Sequence, residues 1–495
     1  MILVQNHQQR LNGSKILFFA IFLTVSLSAC ELFKPIAQND NDRDKKNENL
    51  DPIQGRRVYD PTTGTYVIVR NAPIGSMDTI IWRNIPSSIE PPIYSTAAPI
   101  SDTPSSNPVK TIGIGAGNSQ LLSSYNVSVI LPFLSGRYNS MDKDFSANST
   151  WALQFYNGME MAFDELSAQG VKLNVSVMDS KANESVVGNL ARTNRDLNEA
   201  HLIIGPYLRN NVSILADKAR TTGAVIVSPH SASSAVSANN PNYIQLKPTL
   251  ESHCQAIMQH VYERYSRNQI VLVCMDKESE IKRFDYFQKE YQLLSGMADT
   301  TRLRELTIDT AKLDMQDFDL KPWFGFDRET VFIVPSWSNE IFIYNLLRKL
   351  DVDKNDYQQL VVYGMPQWMN YERIDFDYYE KLNVHVSSSA FIDDFNPDIR
   401  AFKRRYFDRF GEIPDEEAYV GYDLTNYFGT MINKYGTLFQ LQLEANPEQL
   451  LHTKFDFRRV IKPTATALEL PSIERFENKF VNILKFQNYR FNKAD

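Results

Sequence analysis

The spacing of apolar residues from Val127 onward restricts the fold of this chain more than any other feature of its sequence. Residues 127–133 form an almost continuous apolar run, which is typical of a buried strand. Further along, apolar side chains recur at the period of a helix and share one face, at Leu153, Tyr156, Phe163 and Leu166. Ser149 or Thr150 is placed to cap this helix, and Gly170 to end it. The apolar period therefore switches from that of a strand to that of a helix.

The same switch recurs along most of the remaining chain. We predict further strands at 171–177, 201–204, 224–227, 270–273, 331–334, 360–362 and 384–387. Helices are predicted at 281–294, 339–350, 397–410 and 417–435, and another begins at Glu251. Strands that alternate with helices build parallel sheets covered by helices on both faces.

These strands are too many for one compact sheet, so we predict an α/β fold of two lobes with a cleft between them. Residues 126–247 and about 389–443 are assigned to lobe 1, and residues 248–388 and about 444–495 to lobe 2. In open α/β sheets, ligands lie at the carboxyl ends of the strands. The cleft is therefore expected at the loops that follow Phe133, Gly205, Ser228, Cys274, Pro335, Gly364 and Ser388.

The N-terminus has the pattern of a secretory signal that ends at a cysteine. Lys15 precedes the apolar run 16–25, and the sequence Leu27-Ser28-Ala29-Cys30 follows. This pattern resembles a bacterial lipoprotein signal peptide over residues 1–29, with Cys30 as the lipid attachment site. The alternative is an ordinary secreted protein in which Cys30 is incidental. The first interpretation places the mature chain in the cell envelope, lipid-anchored to a membrane and facing the periplasm or the exterior.

Residues 30–125 have the composition of a tether. A charged tract at 39–48 is followed by segments rich in Pro, Ser, Thr and Gly. A flexible chain of this length has an end-to-end distance of roughly 50 Å, enough to hold a domain clear of a membrane surface. Two β-rich runs separated by turn residues predict a small hairpin near residues 57–70.

Charge and motifs exclude several classes of function. The net charge is −7 and no Lys/Arg-rich face with interleaved aromatics occurs, so no nucleic-acid partner is expected. Because the sequence has no catalytic motif and no metal-ligand spacing, we expect neither an enzyme nor a metal or cofactor. Cys254 and Cys274 are interpreted as buried free thiols, in preference to a disulfide.

Two segments carry a resemblance to a known family. Ile203-Ile204-Gly205-Pro206, followed after a helix by the segment 223–232, is similar to the first-lobe core of type I periplasmic binding proteins, the leucine-binding and amino-acid receptor family. A second segment, containing Phe402, Tyr406, Phe410, Gly411, Pro414, Ala418 and Gly421-Tyr422-Asp423, is similar to the helix pair near that family's C-terminus. The resemblance implies two lobes that are joined by three crossovers and close on a small ligand.

Two loops depart from the family pattern. Amino-acid-binding members place small hydroxyl residues after the Gly-Pro and Ser-Pro positions, whereas this chain has Tyr207-Leu208-Arg209 and Ala232. The residues that we assign to the ligand cleft are Tyr207, Arg209, Ser228, His230, Ser231, Trp337 and Trp368. Arg209 is suited to a carboxylate or phosphate, the Ser and His residues to hydrogen bonding, and the tryptophans to stacking. The alternative for each is an ordinary structural role.

Two functional hypotheses follow. The first is a solute-binding lipoprotein that captures an amino acid, peptide or related small metabolite by hinge closure, for an ABC-type permease or for sensing. The second is an envelope protein-interaction lipoprotein of the same fold, for example a regulator of peptidoglycan synthesis, which the long tether and the altered loop favour.

Overall fold

A computed structural model describes residues 119–462 and 472–494, apart from the short stretches 138–146, 234–235, 238, 297–300, 310–313, 316–317 and 326–327. It also describes two strands nearer the N-terminus, β1 (Gly55–Asp60) and β2 (Thr65–Arg70). These strands pair in antiparallel register, from Gly55 opposite Arg70 to Asp60 opposite Thr65, where the sequence predicts a hairpin. The predicted signal peptide, Cys30 and the predicted tether up to residue 118, apart from β1 and β2, lie outside the described residues.

Lobe 1 is built on a seven-stranded sheet. Its strands are β3 (Tyr125–Leu131), β4 (Leu173–Asp179), β5 (Leu202–Ile204), β6 (Val225–Ser228), β7 (Tyr243–Gln245), β15 (Phe457–Ile461) and β16 (Ile473–Asn478). Its helices are α1 (Ala147–Ala168), α2 (Glu184–Thr193), α3 (Arg195–Asn198), α4 (Arg209–Thr222), α10 (Pro397–Phe410) and α11 (Glu416–Tyr435). The strand order is β15-β16-β7-β6-β5-β3-β4, and every pairing is parallel except that of β15 with β16.

Lobe 2 repeats this plan with a second seven-stranded sheet. Its strands are β8 (Ile270–Met275), β9 (Arg304–Ile308), β10 (Thr330–Ile333), β11 (Leu360–Gly364), β12 (Val384–Ser388), β17 (Asn482–Gln487) and β18 (Arg490–Lys493). Its helices are α5 (Leu250–Tyr262), α6 (Glu278–Ile281), α7 (Phe284–Leu294), α8 (Glu340–Asp353) and α9 (Phe376–Lys381). The order is β18-β17-β12-β11-β10-β8-β9, in which β17 and β18 are antiparallel.

Shorter elements complete the described chain. A two-stranded ladder joins β13 (Glu448–Gln449) to β14 (Lys454–Phe455), and 3-10 turns lie at Ser135–Arg137, Arg267–Gln269, Lys321–Trp323, Pro366–Asn370 and Gly436–Ala445. None of the helices that the structure describes is long and apolar enough to cross a membrane. The predicted two-lobed α/β class is confirmed.

The C-terminal boundary differs from the expectation. We assigned about 444–495 to lobe 2, but β15 and β16 complete the sheet of lobe 1, and only β17 and β18 join lobe 2. The reason is that β16 pairs in parallel with β7, while β17 pairs antiparallel with β12. No helix separates these strands, so the strand-helix alternation gives no sign of which sheet each one joins.

Alternation along β3 explains why helices cover both faces of the lobe 1 sheet. Val127, Val129 and Leu131 pack with α1 and α11 on one face. Ile130 packs on the other face in a separate cluster with α4. Since successive side chains of a strand point to opposite faces, an unbroken apolar strand requires two covering layers.

Two glycines allow α1 and α11 to touch backbone to backbone. A Cβ on Gly158 would lie 1.9 Å from the carbonyl oxygen of Ala418, and a Cβ on Gly421 would lie 2.0 Å from that of Phe155. No side chain fits at either position without a shift of the helices. This close contact holds the beginning of α11 against the middle of α1. The helix α1 begins at Ala147, earlier than the predicted caps.

The chain passes between the lobes three times, and a buried carboxylate ties two of the passages together. Glu477, fully buried at the end of β16, accepts hydrogen bonds from the backbone N and the hydroxyl of Thr249 at 3.1 and 2.8 Å and from Ser252 at 2.8 Å. Lys479 and Arg475 lie 2.8 and 2.9 Å from its two oxygens. Burial opposes ionisation, but Lys479 and the Thr249 donors outweigh it and lower the pKa of Glu477 to about 2.

Candidate functional site

Three ring side chains meet at the carboxyl ends of the lobe 1 strands. Tyr207, in the loop after β5, stacks on His230, in the loop after β6, with ring centroids 4.1 Å apart. Trp151, near the start of α1, lies 4.7 Å from Tyr207 and 6.0 Å from His230, both in edge-on geometry. We call Trp151, Tyr207 and His230 the aromatic surface of lobe 1. It lies where this sheet architecture places ligands.

Charged groups border the aromatic surface. Lys247, on the first crossover, pairs with Glu416 at 3.2 Å. Glu417, the next residue of α11, is half-buried beside Trp151. The indole nitrogen of Trp151 lowers the pKa of the Glu417 carboxyl, but the two groups are not hydrogen-bonded. Asp415 caps the helix by accepting from the backbone N of Glu417 and Ala418. The site therefore combines aromatic rings with three carboxylates and one ammonium group.

Burial changes the protonation of two groups in this site. Burial, together with the neighbouring Glu416, raises the pKa of Glu417 to about 7, against the opposing effects of Lys247 and Trp151. One side of His230 is exposed, but desolvation of the other side and the charge of Lys247 lower its pKa below the usual value. His230 is therefore neutral at pH 7, whereas Glu417 is near its midpoint.

The corresponding face of lobe 2 presents Trp337, which is half-buried after β10. The guanidinium of Arg283 lies 3.7 Å from the Trp337 ring centroid and donates to the carbonyl of Pro335 at 2.6 Å. Arg283 is also 3.8 Å from Glu280, a buried carboxylate that accepts from Ser336 at 2.5 Å. The Arg283 guanidinium is thus already held by protein groups.

The predicted site residues are distributed unevenly. Tyr207 and His230 lie together on the aromatic surface, and Trp337 lies on the lobe 2 face. Arg209 is exposed at the first residue of α4. Ser228 is fully buried.

Two further predicted residues are also buried. Ser231 is 8% exposed and accepts from the backbone N of Ser233. Trp368 was predicted to stack on a ligand, but its side chain is fully buried, and its indole donates to the carbonyl of Ser336 at 2.8 Å. The 3-10 turn Pro366–Asn370 directs this ring inward, where it packs on Gly364, so Trp368 belongs to the core of lobe 2.

Sequence reasoning missed Trp151, Lys247, Glu417 and Arg283. The first three lie on helix starts or on a crossover, and long-range packing of α1 against α11 brings them together. In the sequence, Glu417 is one of several acidic residues at a helix start, a pattern that the helix dipole alone explains and that gives no sign of a binding role. Cys254 and Cys274 are buried free thiols, as predicted. In the part of the chain that the structure describes, no group of three or more His, Cys, Asp or Glu side chains is placed to hold a metal ion.

Together these features define the class: a two-lobed α/β protein with the type I periplasmic binding protein fold. The chain is similar to a solved ABC transporter substrate-binding protein from Desulfitobacterium hafniense, with 15% identity and a TM-score of 0.50 over 75% of this chain and 100% of that one. A candidate branched-chain amino acid ABC transporter protein from Rhodospirillum rubrum has 14% identity and a TM-score of 0.53, over 74% and 99% of the two chains.

A third similar structure is full-length LpoA from Haemophilus influenzae. It has 13% identity and a TM-score of 0.48 over 76% of this chain and 60% of that one. No protein-family model matches the chain, and no curated protein is similar to it in sequence. At these identities the comparisons show the fold.

Proposed function

We propose that this chain is a lipid-anchored, extracytoplasmic binding protein whose two lobes close on a small solute, delivered to an ABC-type permease or to a sensor. The observation that carries this proposal is the aromatic surface of lobe 1, which borders Glu417 at the carboxyl ends of β5 and β6. Solute sites in proteins are mostly apolar and aromatic, with a few polar groups that set orientation. Trp337 supplies a ring on the opposite lobe.

Ligand-induced stabilisation tests this proposal. A panel of amino acids, short peptides and amines should include compounds that raise the melting temperature, because a ligand at 100 times its Kd adds about 2.7 kcal/mol to stability. Tyr207→Ala should remove this effect, whereas Tyr357→Ala, which changes a side chain that is 92% exposed, should retain it. A panel without any response would contradict the proposal.

Anchoring belongs to the same proposal and is tested separately. Cys30→Ser removes the thiol that would carry the lipid, so the protein should move from the membrane fraction to the soluble envelope fraction. Unchanged fractionation of the Cys30→Ser protein would contradict the anchor. Because two lipid chains give stable anchoring, the expected shift is nearly complete.

A second candidate function, envelope protein interaction, has its own supporting observation. Tyr207 and His230 stack on each other where the family pattern places small hydroxyl residues, so the usual grip on an amino acid is replaced by a ring surface. A photo-crosslinking residue at Leu208, which is 37% exposed beside this surface, distinguishes the two functions in intact cells. Capture of a peptidoglycan-synthesis protein would favour interaction, and capture of permease subunits alone would favour solute delivery.

A further inference from the structure

The charges beside the aromatic surface do not balance. Lys247 is committed to Glu416 at 3.2 Å, and among the residues that the structure describes no ion pair involves Glu417. Asp415 is occupied by its helix, since it accepts from two backbone nitrogens of the first turn. One carboxylate, that of Glu417, is left for a group from outside the protein.

The surroundings of Glu417 favour a positive partner. Glu417 lies in the first turn of α11, which packs directly against α1, the helix that carries Trp151. Burial, and after it the charge of Glu417, raises the pKa of the Tyr207 phenol. The face of an aromatic ring attracts a cation, and a carboxylate forms charge-assisted hydrogen bonds with an ammonium group. Two rings and one carboxylate are the elements from which proteins recognise organic ammonium ions.

On the Trp337 face of lobe 2, the Arg283 guanidinium is not available to an anion. The Arg283 side chain is only 12% exposed, and it is held by the Trp337 ring, the Pro335 carbonyl and Glu280. The carboxylate of a ligand would have to displace these contacts to reach the guanidinium. A ligand that brings a positive charge to lobe 1 needs no such rearrangement.

We propose that the cleft binds an organic ammonium compound, with Glu417 as its counter-ion and Trp151 and Tyr207 as its ring contacts. This inference rests on the proposed solute-binding function and specifies its ligand class. It applies to primary amines and to quaternary ammonium groups alike, since both carry a positive charge that can pair with the Glu417 carboxylate.

The affinity of such a site depends on pH. Glu417 must be ionised to act as a counter-ion, and its pKa of about 7 puts this change within the ordinary range of pH. The charged groups that face it are Lys247, Glu416 and Asp415, while His230 stays neutral because its pKa is lowered. The ionised fraction of Glu417 falls about tenfold between pH 8 and pH 6, so ammonium affinity should fall about tenfold over the same range.

Titration calorimetry with chosen probes tests the inference on the purified chain. Choline, putrescine and L-lysine are compared with 3,3-dimethyl-1-butanol, the uncharged isostere of choline, and with succinate. At least one ammonium probe should bind at pH 8, and its affinity should fall at pH 6. The uncharged isostere should bind at least tenfold more weakly than choline if choline is the probe that binds.

Variants assign the effect to the site. Glu417→Gln should weaken ammonium binding at least tenfold and remove its pH dependence, and Trp151→Leu should also weaken it. Glu199→Gln, which changes an exposed carboxylate in a surface pair with Arg195, should leave binding unchanged.

The outcomes separate this inference from the proposed function. Binding of succinate without binding of any ammonium probe would overturn the ligand class and leave solute binding in place. Ammonium binding that Glu417→Gln leaves unchanged would overturn the site. If no compound binds, the proposed function fails, and the ligand class fails with it.

Discussion

At the scale of single residues, Glu417 illustrates a conflict between stability and binding. A half-buried carboxyl whose pKa is raised by desolvation costs free energy whenever it is ionised. In the unfolded chain, Glu417 ionises near its ordinary pKa, so the folded state is favoured at low pH and loses this advantage as the pH rises through about 7. A protein retains such a group when its charge serves another purpose.

The stability of Glu417→Gln should therefore depend on pH. At pH 5 the wild-type carboxyl is protonated, and the amide should change the free energy of unfolding little. At pH 8 the amide avoids the cost of ionisation, so Glu417→Gln should be more stable than wild type by about 1–2 kcal/mol. Urea unfolding at the two pH values measures this difference. Equal effects at pH 5 and pH 8 would contradict the raised pKa.

Trp368 shows how far a side chain's role depends on its direction. The sequence places it just after a strand, where a ligand contact was expected, yet the ring is fully buried and its indole nitrogen donates to the carbonyl of Ser336. We predict that Trp368→Ala lowers the free energy of unfolding by about 3–5 kcal/mol, because the deleted ring leaves a cavity. Trp337→Ala, at a half-buried ring on the cleft face, should cost less. Denaturant unfolding compares the two variants. A larger loss of unfolding free energy for Trp337→Ala than for Trp368→Ala would contradict the burial of Trp368 in the core.

At the scale of elements, the contact between α1 and α11 determines whether the site forms. The backbone contact at Gly158 and Gly421 brings Trp151 and Glu417 together, although they are distant in sequence. The strands of lobe 1 supply only Tyr207 and His230. The aromatic surface is therefore sensitive to how these two helices pack.

Gly158→Ala tests this dependence. The added methyl group cannot be accommodated 1.9 Å from a carbonyl oxygen, so the helices must separate, at a cost of about 2 kcal/mol. The control is Gly188→Ala in α2, where the nearest atom would lie 3.6 Å away and alanine should stabilise the helix slightly. Fluorescence of Trp151, compared with that of a Trp151→Phe variant, should report the displacement. Unchanged stability and fluorescence in Gly158→Ala would contradict the close contact.

The sequence predicts elements better than it predicts their partners. The β/α core of both lobes follows from the apolar period, because buried parallel strands and their helices have distinct spacings. The same reasoning does not assign the strands β15 to β18 to their sheets, because no helix lies between these strands to mark a change of sheet. Tyr207 and His230 were predicted because each follows a strand. Glu417 was not, because only tertiary packing sets it beside the rings.

At the scale of the whole molecule, Glu477 couples the lobes. It receives hydrogen bonds from the start of α5 in lobe 2, although it ends a strand of lobe 1. A second link lies nearby, where Thr453 donates to the carbonyl of Ser389 on another passage between lobes. Any movement of one lobe against the other must turn about these contacts.

Glu477→Gln should weaken this link. The amide leaves Lys479 and Arg475 without their buried partner, so we expect a loss of about 3 kcal/mol at pH 7. Because the pKa of Glu477 is lowered to about 2, its stabilisation is present above the ordinary pKa of glutamate and is lost as the pH falls toward 2. The difference in the free energy of unfolding between Glu477→Gln and wild type should therefore become smaller as the pH falls. Glu199→Gln, at an exposed pair, should stay within about 0.5 kcal/mol of wild type at every pH.

The strands that complete the two sheets have a consequence for the order of folding. Lobe 1 requires β15 and β16, lobe 2 requires β17 and β18, and all four lie within residues 457–493. A ribosome releases these residues after the other strands of both sheets have emerged. Neither lobe can therefore reach its native pairing before residues 457–493 have been released, and both lobes depend on this one segment. Holdase chaperones would have to protect nearly the whole body of the protein, because strand pairing of such high contact order forms slowly and leaves apolar surface exposed.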